Sequence, residues 1–150
     1  MLNKHEEYLD ILPLTQVVKE RIEEVINLNS KLLGVEFLDI FICDLKNNEG
    51  AKNYTSLWLI STEYLIECKS FLSNNNFDLV RYKNKVGYCS IQPIEYDFET
   101  VSEKSSVLIH CNIGGSSSMG SVSCSLIATE ENCTKALEIY QKYLITNIMK

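Results

Sequence analysis

A chain of 150 residues, with hydrophobic side chains at 45% and charged ones at 23%, has the size and composition of one globular domain. Such a chain buries roughly 70% of its unfolded surface and needs no disulfide or metal staple. Its net charge of −6 excludes a nucleic-acid surface, which requires concentrated basic charge, and opposes strong binding to anionic membranes.

In chain order, residues 1–14 read as a polar tail, and the acidic start MLNKHEEYLD is unlike a signal peptide. No apolar run approaches the ~18 residues of a membrane span, so a cytoplasmic setting is expected. The first helix is expected over 15–33, where Leu14, Val17, Val18, Ile22, Val25, Ile26, Leu32 and Leu33 recur at helical spacing. Thr15 is its predicted N-cap and Gly34 its stop, with Glu20, Glu23 and Glu24 on the solvated side.

From 35 to 128 the period falls to two. VEFLDIFICDL, YTSLWLIS, EYLIECKSFL, FDLVRYK, GYCSIQPI, EYDFET, SSVLIHCN and GSVSCSLIAT are short β-branched or aromatic runs separated by turn signals. They predict a meander of about seven antiparallel strands, partly closed as a barrel. A second helix is expected over 130–148, capped by Thr129. Its apolar stripe includes Cys133, Ala136, Leu137, Tyr140 and Leu144, of which Leu137, Tyr140 and Leu144 are expected to plug one barrel mouth.

The candidate sites each meet a plain structural alternative. Gly115 and Gly120 have phosphate-loop spacing, but Gly120 is followed by Ser121 and an alternating strand rather than by Lys and a helix, so IGGSSSMGS reads as a hairpin tip. His110 and Cys111 are sequence neighbours, which on a strand point to opposite faces and cannot act together. Glu95, Asp97 and Glu99 share one face of their run and read as its wet side. Arg81, Lys83 and Lys85 form the basic cluster, suited to an acidic partner, a lipid headgroup or a solvated strand edge. The six cysteines, never spaced as CxxC, read as reduced thiols. No metal or cofactor is expected.

The order of elements resembles the pleckstrin-homology-like domain, in its small bacterial form with a leading helix. The likeness rests on YTSLWLISTEYLIECKSF, FDLVRYKNKVGYCSI and SCSLIATEENCTKALEIYQKYL, and covers about residues 17–148. It implies a single binding domain over 1–150 with no catalytic residues, directed at proteins or phosphoinositides. Lipid-binding members carry basic residues in the first hairpin loop and the second strand together. Here Lys46 and Lys52 flank that loop, while TSLWLIS carries none. The function expected is therefore a cytosolic protein–protein interaction module or an immunity-type inhibitor, acting through a sheet edge or loop rim. The alternative is a lipid or apolar ligand held in a mouth lined by Phe37, Phe41, Trp58 and Tyr96.

Overall fold

The computed structural model describes residues 5–46, 52–73, 77–83, 86–95, 106–114 and 121–148. Two helices lead, α1 (Glu6–Ile11) and α2 (Gln16–Leu33). The Thr15 side chain accepts from the Val18 N–H at 3.3 Å, and Gly34 ends α2 in the left-handed conformation (φ 64°) with its N–H on the Ser30 carbonyl. Both predicted signals therefore act as expected. The buried stripe of α2 is narrower than the apolar pattern. Ile22, Val25, Ile26 and Asn29 are buried, whereas Val17 and Leu32 are 73% and 66% exposed.

Seven antiparallel strands follow: β1 (Asp39–Lys46), β2 (Lys52–Ile60), β3 (Tyr64–Lys69), β4 (Asp78–Lys83), β5 (Val86–Glu95), β6 (Ser106–Gly114) and β7 (Ser121–Thr129). They make two sheets, β1-β2-β3-β4 and β5-β6-β7. The sheets are not closed into one barrel, though β1 runs alongside β7. Of the run EYDFET only Glu95 lies within the described backbone.

The two faces of the first sheet have different tasks. Trp58, Ile60, Leu65 and Tyr82 point between the sheets, with Trp58 and Tyr82 stacked at 6.0 Å between ring centres. Leu57, Leu59, Ile66 and Cys68 point to the other side, which α2 covers: the Asn29 amide meets the Cys68 sulfur at 3.9 Å. Burial on both faces explains why β1 and β2 read as nearly continuous apolar runs. Arg21 fastens α2 to the chain after β3, donating to the carbonyls of Phe71 (2.7 Å) and Ser73 (3.0 Å).

Residues 1–14 are not wholly a polar tail. Tyr8, Leu9 and Leu12 are buried, and so is His5. The reason lies at the outer edge of β1, whose free backbone groups need partners. The Tyr8 hydroxyl accepts from the Ile42 N–H (2.9 Å) and donates to Asn132 Oδ1 (2.8 Å), while Asn132 Nδ2 donates to the Ile42 carbonyl (2.7 Å). Fully buried Asp44 accepts from the Thr129 N–H and hydroxyl (both 2.9 Å) and from Asn132 (3.0 Å). Thr129 thus serves Asp44 and does not cap the helix with its side chain.

The closing helix is composite. A 3-10 turn (Glu130–Asn132) leads into α3 (Cys133–Ile139), a π turn (Tyr140–Leu144) and α4 (Ile145–Ile148). Ala136, Ile139 and Leu144 are its buried apolar residues, whereas Leu137, expected in the plug, is 44% exposed. A uniform 3.6-residue period misses this, because Ile139 and Leu144 are five apart and share a face only where the helix widens to i→i+5 bonding. No helix among the described residues is long and apolar enough to cross a membrane.

Candidate functional site

Strand β4, DLVRYK, stands at the end of its sheet and is hydrogen-bonded to β3 on one side. Register against β3 places Val80 opposite Glu67 and Tyr82 opposite Leu65, on the face between the sheets. Leu79, Arg81 and Lys83 alternate onto the outer face, opposite Cys68, Ile66 and Tyr64. Arg81 and Lys83 are exposed, and both are brought together as predicted.

Beside them the end of α2 leaves a groove of about 230 Å³ lined by Asn29, Leu32, Leu33, Leu79 and Arg81. Three leucines, Leu32, Leu33 and Leu79, face it together with the polar Asn29 and Arg81 side chains. The groove was not visible in the sequence, where Leu32 reads as helix core. An Asn at the buried position after Ile22 and Ile26 is the one signal that this stripe ends in a polar seam.

The other predicted basic residues do not join this cluster. Lys46 and Lys52 pair with each other at the far end of the β1–β2 hairpin. Arg81 is level with Ile66, and Ile66 with Leu59. Lys52 lies seven residues before Leu59 along β2, or about 23 Å at strand rise. Lys85, Asp97 and Glu99 lie outside the described residues, as do Tyr96 and the hairpin tip 115–120. The strands on either side of that stretch pair from Ser106–Thr129 to Gly114–Ser121, and the element that begins at Ser121 is a strand, not a helix.

A second concavity, about 250 Å³, opens between α1 and α3 and is lined in part by His5, Tyr8, Asp39, Glu131, Lys135 and Glu138. Its lysine is engaged: Lys135 reaches Asp39 at 2.7 Å and Glu138 at 3.1 Å, and sits 5.0 Å over the Tyr8 ring. The ammonium groups of Lys142 and Lys135 hold the Glu138 carboxyl below its usual range. The cleft therefore acts as an internal ionic strut.

Between the sheets, under the closing helix, the free space is about 10 Å³, walled by Trp58, Leu65, Cys111, Leu126, Ile139 and Leu144 among others. That is room for about one water. His110 lies half-exposed with Nδ1 3.4 Å from the Ser125 hydroxyl, while Cys111 is fully buried on the opposite face. The two are separated as expected. Glu67 faces inward, accepting from Ser56 (3.4 Å) and Tyr82 (3.3 Å), and burial raises its carboxyl above the ordinary value. Against known protein families, curated proteins and solved structures the chain finds no match.

Proposed function

We propose that this chain is a non-enzymatic, pleckstrin-homology-like interaction module that takes an extended acidic segment of a partner protein along β4. The observation that carries this reading is β4 itself. Among the described residues it combines a strand edge bonded on one side, two exposed cations on one face and a groove with three leucines beside them. An added strand would gain main-chain hydrogen bonds from the edge, specificity from alternate side chains and register from the two charges. The meander of four plus three strands with a terminal helix over the inner core supports the pleckstrin-homology-like assignment.

Two structural features weigh against the alternatives. The ~23 Å between Arg81 and Lys52 along the strands weighs against one headgroup site shared by the β4 cations and the lysines of the β1–β2 hairpin. The inner cavity of about 10 Å³ is far below the roughly 300–1,000 Å³ of a ligand pocket. The inhibitor reading would draw on the acidic cleft, where Lys135 already bridges Asp39 and Glu138.

The test is binding to an array of short peptides alternating Asp or Glu with Leu or Val, by the wild-type chain and an Arg81→Glu/Lys83→Glu variant. Wild type should bind a subset, and the variant should lose at least about tenfold, or ~1.4 kcal/mol, with an unchanged circular dichroism spectrum. Absence of binding to every peptide would overturn the reading. So would pelleting with phosphoinositide vesicles at micromolar lipid that the same variant abolishes.

A further inference from the structure

The three-stranded sheet carries three cysteines in one row. Cys89 on β5 is paired with Cys111 on β6, and Cys111 with Cys124 on β7. Directly opposed residues share a face, so the three thiols lie side by side on the face turned to the core. Cys111 and Cys124 are buried, whereas Cys89, on the edge strand of that sheet, is only half-buried.

The row has the dimensions of a disulfide. Opposed antiparallel residues stand about 4.5–5.5 Å apart between Cα atoms, within the ~4.4–6.8 Å that a disulfide spans. Cys89 differs chemically from its two row partners. The adjacent Cys111 thiol stabilises the Cys89 thiolate and holds it below its ordinary value, while Cys111 is itself pushed up. Burial pushes Cys43 and Cys68 up to about 12. The most ionisable sulfur of the row is thus also its most accessible one.

We propose that Cys89 and Cys111 are a peroxide-responsive dithiol that closes a cross-strand disulfide on the inner face of the three-stranded sheet. The Cys89 thiolate attacks one oxygen of hydrogen peroxide, the O–O bond breaks, and hydroxide leaves as water after taking a proton. Cys89 is then a sulfenic acid. The Cys111 sulfur attacks the Cys89 sulfur, forming the S–S bond and breaking S–O, and the departing hydroxide takes the Cys111 proton as a second water. Two thiols lose two electrons, and one peroxide is reduced to two waters.

The test treats the intact chain with stoichiometric hydrogen peroxide and maps disulfides by non-reducing digestion and mass spectrometry. The expected result is a single link between the Cys89 and Cys111 peptides, reversed by dithiothreitol. Cys89→Ser should slow thiol loss at least about tenfold, and Cys111→Ser should leave a Cys89 sulfenic acid that dimedone traps. Cys133→Ser, at a half-buried cysteine outside the row, should change neither. Six free thiols after peroxide, a Cys111–Cys124 link, or a wild-type sulfenic acid that never closes would each overturn the proposal. The wild-type map decides the matter even if the Cys111 variant fails to fold.

Discussion

Two carboxylates of the same sheet, on β1 and β3, show how far surroundings decide what a side chain contributes. Asp44 is fully buried and meets three donors, from Thr129 twice and Asn132 once. Replacing it with Ala leaves three buried donors without this acceptor, at ~1–3 kcal/mol each, so Asp44→Ala should lose roughly 3–9 kcal/mol in urea unfolding. A loss under 1 kcal/mol would mean that water replaces the carboxylate. Glu67 behaves oppositely. Burial raises its folded-state pKa, so the folded chain binds the proton more tightly than the unfolded one does. Its contribution is therefore fullest below the ordinary carboxylate value and is lost as pH rises through the raised one. Glu67→Gln should match wild type near pH 4 and become more stable than wild type by pH 7. A stability difference that stays flat across that range would contradict this.

At the scale of elements, most boundaries were legible and most misreadings concern what covers an edge or a face. Thr15, Gly34 and the period-two runs announce α2 and the strands because each is a local signal. The burial of α1 was not legible, since EEYLDI is too short and acidic to show a stripe and its purpose is to meet Ile42, far along the chain. Deleting residues 1–12 removes Tyr8, Leu9 and Leu12 from the core, a loss of roughly 5–9 kcal/mol at ~1.5–3 each. The truncated chain should fail to melt cooperatively, and an unchanged melting temperature would show that α1 is dispensable. The basic site was half legible. Alternation placed Arg81 and Lys83 together, but only strand register reveals that Lys46 and Lys52 stand at the other end of the sheet. The π turn hides in sequence because every periodicity template assumes uniform winding. Deleting exposed Lys142 should convert it to a regular turn, putting Leu144 four positions from Ile139 on the same face. That variant should keep a cooperative thermal transition, whereas deleting Leu137 should not. The reverse order would refute the assignment of the turn.

For the molecule as a whole, the two sheets share one core and one hydrogen-bonded seam. Trp58 fluorescence, reporting the space between the sheets, should therefore lose its folded signal at the same denaturant concentration as far-ultraviolet circular dichroism. Separated midpoints would mean that the sheets are independent units. The seam also has a consequence during synthesis. Asp44 is made 88 residues before Asn132, and at ~5–20 residues per second a ribosome needs roughly 4–18 s to cover that distance. Throughout that interval the Asp44 carboxylate and the Ile42 carbonyl of nascent β1 lack Thr129 and Asn132, and of the edge's partners only Tyr8 has been made. The growing chain is held open to solvent and to chaperones until translation reaches its final helix.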